Sequence, residues 1–163
     1  MSYPQRQGEE ALRASPLLRE LQQNSKQTTK ALSIKLGLSP TAVYERIKRL
    51  ERTGVIRKYV ALLDPAAVSR NFRVFCQVKL DQHIRRQVIS FEKEVLELEE
   101  VVSCYHLGGE YDYLLEICVE DMQAYREFMV TKLTAIRHIG STHSSFVINT
   151  VKQSTELPVG LFH

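Results

Sequence analysis

No stretch of the chain approaches the roughly 20 consecutive apolar residues that a membrane-spanning helix needs, which argues against a spanning protein. The opening MSYPQRQGEE lacks an apolar core and a small-residue cleavage site, so it does not read as a secretory leader. Cysteine is scarce and odd in number. Cys76, Cys104 and Cys118 show no CxxC spacing, which disfavours a disulfide framework or a zinc ribbon. All three sit in apolar strand contexts, where a small buried hydrophobe is the expected role. There is no GxSxG, HExxH, P-loop or dinucleotide fingerprint. His83, His106, His138 and His143 lack metal-ligand spacing. These absences lead us to expect a cytoplasmic protein with no metal, no cofactor and no catalytic apparatus.

What is present divides unevenly. The 163 residues, 44% apolar and 25% charged, suit one ordinary domain or two small ones. The net charge of +3 hides an asymmetry: residues 1–64 carry a balance of +6 and residues 65–163 a balance of −3. The basic excess peaks where Arg46, Lys48, Arg49, Arg52, Arg57 and Lys58 face only Glu51. Such a pattern fits a polyanion-binding half joined to a half with another task, although a solvated helix face has the same composition.

Residues 1–14 are polar and aperiodic and read as a loose arm. Leu17, Leu18 and Leu21 then form a helical stripe, with Ser15 as a candidate cap and Pro16 in the first turn. Thr28 or Thr29 can cap a second helix bearing Ala31, Leu32 and Leu36, stopped by Gly37. Ser39 and Pro40 open a third helix whose Val43, Ile47 and Leu50 repeat at i, i+4 and i+7, and Gly54 ends it. Three short helices with a tight glycine turn before the third match a helix-turn-helix over 15–54. If Val43, Ile47 and Leu50 face inward, Thr41, Tyr44, Glu45, Lys48 and Arg52 face solvent; an ordinary charged amphipathic helix has the same period.

Residues 55–63 read as a strand, broken by Asp64 and Pro65, so 55–71 is expected to be a hinge strand and linker. Strands are expected over 72–80, 101–107, 111–119 and 144–151, and helices over 88–98 and 122–133. The order βαββαβ is the split βαβ pattern, an antiparallel four-stranded sheet with two helices on one face, spanning 72–152 and followed by a tail over 153–163. The fold class is therefore α+β. The bare sheet face, expected to carry some of the apolar residues Phe75, Val78, Leu80, Leu114 and Ile117, the others belonging to the helix-covered core, implies pairing with a second copy.

Several motifs, in order, carry a resemblance. GLSPTAVYERIKRLERTGVI over 37–56 resembles the recognition segment of the Lrp/AsnC (leucine-responsive/asparagine-responsive, feast/famine) regulators. YVALLDP over 59–65 resembles that family's hinge strand, and HLGGEYDYLL over 106–115 its amino-acid-sensing turn. DMQAYREF over 121–128 and VKQS over 151–154 match as well. The chain departs from the family pattern at Arg13, Ala14, Ser15 and Pro16, where an acidic pair is usual. His138 stands at a usual glycine, and Gly108 where a small hydroxyl residue is common.

The resemblance implies a DNA-binding regulator that forms dimers, and beyond them tetramers or octamers, and responds to a small amino acid. In the major groove, Ser39, Thr41, Tyr44 and Glu45 would meet base edges or nearby phosphates, and Lys48, Arg49 and Arg52 the backbone. Glu45 could accept from a cytosine amino group and the Thr41 methyl could touch thymine. Arg46 is read as a structural partner of Glu51 or Glu45. For the effector, the turn of Gly108, Gly109, Glu110, Tyr111 and Asp112 could bring backbone amides onto a carboxylate, with Asp112 or Glu110 on the ammonium. A plain hairpin turn would use the same glycines. Thr142 and Ser144 resemble the hydroxyl positions that meet this turn across a subunit interface. Two other functions remain compatible with the residues: a small-molecule-binding oligomeric module that binds no DNA, and an enzyme on a ferredoxin-like scaffold.

Overall fold

The computed structural model describes residues 15–159 apart from position 83. The arm read over 1–14, His83 and the last tail residues lie outside them. The described residues fall into two compact units, one of residues up to Ala61 together with those from Lys152, the other running from Leu62 to Val151.

The first unit holds α1 (Ser15–Gln23), α2 (Thr29–Leu36) and α3 (Pro40–Arg52). Local chemistry sets their ends. The Thr28 hydroxyl accepts the Ala31 N–H and the Ser39 hydroxyl accepts the Ala42 N–H, each filling one donor that a helix start leaves open. Gly37 closes α2 in the left-handed region at φ 64°, and the next amide, of Leu38, donates back to Ser33 O at 3.1 Å. α3 starts two residues later, so the turn is fixed by backbone bonds. Leu17, Leu18, Leu21, Leu32, Val43 and Leu50 form one buried core, with Ile47 and Leu36 packed at its edge. A fully buried leucine such as Leu32 contributes about 2–5 kcal/mol against alanine, a large share of what a small unit can hold.

In the second unit, β1 (Phe72–Leu80), β2 (Val101–His106), β3 (Tyr113–Val119) and β4 (Ile139–Phe146) form an antiparallel sheet in the order β2-β3-β1-β4. α4 (Arg85–Leu96) and α5 (Met122–Thr131) both cover one sheet face. Phe91, Val95, Tyr125 and Phe128 pack on Val74, Cys76, Val78, Leu80, Tyr113, Leu115, Ile117 and Val119. These strand residues alternate, as a half-covered sheet requires.

Three local expectations are corrected, and the faces left open for the apolar strand residues are resolved. No strand forms over 55–63: a strand needs a ladder partner, and none of the described residues supplies one. The last strand is Ile139–Phe146, not 144–151, because its Ser, Thr and His residues pair with β1 from Leu80 to Val74 despite their turn-like composition. Val78, Leu80 and Ile117 belong to the helix-covered core, and only Phe75 and Leu114 of the expected set lie on the open face. Cys76 and Cys118 are buried, but Cys104 is exposed because β2 is an edge strand.

Candidate DNA interface and effector site

α3 offers two faces of opposite character. Val43 and Leu50 are sealed in the core at 0% and 1% exposure, whereas Thr41, Tyr44, Glu45, Lys48, Arg49 and Arg52 are exposed. Ser39 is exposed too, but its oxygen already caps the helix, which leaves its hydroxyl proton as the group free to meet a phosphate. The Lys48 ammonium sits 2.9 Å from Glu51 Oε2 and 5.8 Å from the centre of the Tyr44 ring. Tyr59, beyond the helix, donates its hydroxyl to Glu51 Oε1 at 3.2 Å. The hydrogen bond with Lys48 holds the Glu51 carboxyl below its ordinary range and raises the Lys48 ammonium above its own. Glu51 thus takes Lys48, where the sequence suggested Arg46. Glu51 and Tyr59 are the neighbours that sequence reasoning missed; the i, i+3 spacing of Lys48 and Glu51 was the available signal.

The second candidate site is the segment of residues 107–112 between β2 and β3. Gly108, Gly109 and Glu110 are exposed there, with open space around both glycines and a positive φ of 155° at Gly109. Asp112 stitches the segment down. Its N–H donates to Val78 O at 2.9 Å, its carbonyl accepts the Leu107 N–H at 2.7 Å, and its Oδ2 accepts the Leu80 N–H at 2.8 Å. The Asp112 carboxylate is therefore at least partly a structural acceptor. Tyr111 lies over the open sheet face with its ring 6.4 Å from that of His143, a residue sequence reasoning did not place here.

Thr142 and Ser144 pair with Val78 and Cys76, so within one chain they point toward the helix-covered side. Ser144 is engaged there, 2.5 Å from the Tyr125 hydroxyl and 3.9 Å from the Cys76 sulfur. The chain does not bring these two hydroxyls to the 108–112 turn by itself.

The approach to β4 is unusual. His138 adopts φ 73°, in the left-handed region that favours glycine, and its carbonyl accepts the Asp81 N–H at 2.9 Å. Gly140 sits where a Cβ would meet the Asp81 backbone at 3.2 Å, at the register slip between Lys79 and Leu80. At the other end of the sheet, Val119, Ala124 and Phe128 floor a pocket of about 290 Å³ rimmed by Arg70, Glu100 and Lys132. Burial pushes the Glu100 carboxyl up, but the Lys132 ammonium at 2.6 Å overrides it and keeps the group below its ordinary range. Among the described residues no three His, Cys, Asp or Glu side chains are grouped to hold a metal. Nor, among the described residues, is any helix long and apolar enough to cross a membrane.

Comparison with known proteins matches two family models in succession along the chain. Residues 17–57 match the model of the winged helix-turn-helix DNA-binding family and residues 73–157 that of the Lrp/AsnC ligand binding domain. The leucine-responsive regulatory proteins of Klebsiella pneumoniae and Escherichia coli K12 are each 36% identical over 143 residues, covering 88% of this chain and 87% of theirs. Among solved structures, transcriptional regulator NMB0573 of Neisseria meningitidis, crystallised with L-Met, has 35% identity and a TM-score of 0.83 over 86% of this chain and 91% of its own. An AsnC family transcriptional regulator from Agrobacterium tumefaciens has 36% identity and a TM-score of 0.83 over 94% of this chain and 95% of its own. A helix-turn-helix with an exposed basic face, a four-stranded sheet with two helices on one side, and relatives matched along most of their length lead to one assignment: the chain belongs to the Lrp/AsnC family of transcriptional regulators.

Proposed function

We propose that this regulator reads duplex DNA through α3, and that a small amino acid bound at the 108–112 turn sets its assembly and so its DNA affinity. The observation that carries the first part is the solvent-facing set Thr41, Tyr44, Glu45, Lys48, Arg49 and Arg52 on a helix whose reverse side is locked into a core. Ser39, Thr41, Tyr44 and Glu45 are the candidates for the floor and lip of the groove, and Lys48, Arg49 and Arg52 for phosphates. One such module binds weakly alone, so a two-fold dimer on a near-palindrome is the working species. The partly exposed Phe75 and Leu114 on the open sheet face, and exposed Tyr59, Val60, Leu62 and Leu63, support pairing with a second copy, and a tetramer or octamer beyond it. A cytoplasmic location fits a DNA-binding regulator. No catalytic role is proposed.

For the effector, Gly108 and Gly109 offer amides for a carboxylate, Glu110 and Asp112 acidic groups for an ammonium, and Tyr111 with His143 a flat flank. Thr142 and Ser144 would contribute from a neighbouring subunit. The L-Met complex of the Neisseria relative supports an amino acid as the chemical class. The test of the DNA reading is selection from a random duplex pool. The parent should enrich a two-fold-related motif, and Tyr44→Ala or Glu45→Ala should blur it. Enrichment of no motif by the parent contradicts sequence-specific binding. The effector reading is tested by calorimetry with the twenty amino acids on the parent and on Asp112→Asn. Heat lost in the variant supports the site, and no heat with any amino acid contradicts it.

A further inference from the structure

The described residues from Lys152 group with the helix-turn-helix, although the strand that leads to them, β4, belongs to the sheet domain. They dock on α1. The Gln22 side-chain amide donates from Nε2 to Leu157 O at 3.0 Å and accepts the Leu157 N–H on Oε1 at 2.7 Å. An amide side chain used in both directions mimics a neighbouring strand and selects backbone over an ion. One turn earlier on α1, the Arg19 guanidinium donates from Nη2 at 2.9 Å and Nε at 3.3 Å to Val159 O. Val159 itself packs against the core built by Leu17, Leu18 and Leu21. Four hydrogen bonds and an apolar anchor thus join residues at opposite ends of the sequence.

The chain path gives this docking a consequence. It leaves the helix-turn-helix after Ala61, builds the sheet domain, and returns at Lys152. The DNA-binding unit is consequently tied to the sheet domain twice, once beyond α3 and once through α1. α1 supplies three of the six buried residues of the core on which Val43 and Leu50 seat α3. A second tether on that core can bias the unit only if it is attached.

We propose that residues 152–159 are a strap on α1 that carries the state of the sheet domain to the DNA-binding unit. This rests on the ligand-and-DNA reading above. Rearrangement at β4 reaches α1 along the strap. With the strap severed, each unit keeps its own binding and the effect of assembly remains, but the coupling that runs within one chain is lost, because linkage requires an element whose equilibrium both sites bias.

The test uses the full chain, a chain ending at Ser154, the double variant Arg19→Ala, Gln22→Ala, and both changes combined, read by hydrogen exchange at the α1 amides. Exchange should rise roughly tenfold in the shortened chain and in the double variant, with no further rise when they are combined. Gln22→Glu, which keeps the acceptor and loses the donor, should fall between and guards against a helix merely unfolded by truncation. In parallel, with parent and shortened chain compared at the same oligomeric state, the amino acid that gives heat with the parent should shift the parent's DNA affinity and not that of the shortened chain. Unchanged α1 exchange on truncation, or additive effects, overturns the strap. So does a ligand shift that survives it. A parent that binds neither DNA nor amino acid defeats the functional reading instead, and the exchange data still decide whether the strap is docked.

Discussion

Asp112 Oδ2 accepts the backbone N–H of Leu80 at 2.8 Å, at the place where the pairing of β1 with β4 slips register. The Leu80 amide faces the β3 side of β1, where the ladder ends at Val78 and Tyr113, and this carboxylate supplies the partner that β3 no longer does. Asp112→Ala should cost about 1–3 kcal/mol, the range for stranding a partly buried donor. Asp112→Asn, which keeps a carbonyl oxygen in place, should cost about half as much. Denaturant midpoints of the two variants give the comparison; equal losses would mean that the Leu80 bond contributes nothing. Ligand heats on the asparagine variant then report charge without a collapsed turn.

Gly140 lies at the slip itself, between Ile139 and Ser141 opposite Leu80 and Lys79. A Cβ there would meet Asp81 Cα and N at 3.2 Å and Leu80 C at 3.4 Å, and all of these are backbone. Gly140→Ala should destabilise the sheet domain by about 1–3 kcal/mol. His138→Gly should instead be neutral or stabilising by up to about 1 kcal/mol, because it relieves a left-handed residue at φ 73°. Thermal unfolding of both variants checks the signs, and a stabilising Gly140→Ala would contradict the close approach.

Alkaline stability should depend on Tyr125. Burial drives its phenol up to about 12 from the ordinary value of 10.0. A group raised on folding stabilises fully below its unfolded value. Above pH 10 the unfolded chain loses the proton first, so stability falls as pH rises from 10 toward 12. Burial also raises Tyr113, which donates to Glu92 at 3.0 Å and adds to the same decline. Tyr125→Phe should remove about one proton from the pH slope of stability in that window. An unchanged slope would show that Tyr125 ionises equally in both states.

The parts legible in the sequence are those set by neighbours along the chain. Thr28, Gly37 and Ser39 announce helix ends through bonds spanning only a few residues, and all three act there as read. The bounds read for β1, 72–80, hold as well, but its buried side was not assigned from the sequence. What failed was decided at long range. The polar stretch before Phe146 is a strand only because β1 lies beside it, and residues 55–63 lack a strand because no described partner lies beside them. The Asp112 bond to Leu80, the Tyr111 contact with His143 and the docking of Leu157 on Gln22 join residues far apart in the chain, and no local pattern encodes them. Glu51 is different. Its spacing to Lys48 was visible, but so was its place in the same basic run as Arg46, and only side-chain geometry chose between them.

Glu51 also gives a test of the basic face. A phosphate must take Lys48 away from Glu51, so Glu51→Gln should tighten binding to unrelated duplexes and narrow the gap between specific and non-specific affinity. Fluorescence anisotropy with one selected and one scrambled duplex measures both. Equal weakening on the two duplexes would contradict competition for Lys48.

The measurement that bears most directly on the central claim is the salt dependence of duplex DNA affinity for the parent and for the Lys48→Glu, Arg52→Glu variant. If α3 lies in the groove, the parent's affinity falls steeply with salt. The variant should bind all sequences more weakly, with the slope of log affinity against log salt reduced by roughly one for each phosphate that the protein no longer neutralises. A variant that binds as tightly as the parent, with the same slope, would contradict the assignment of α3 as the DNA-reading helix.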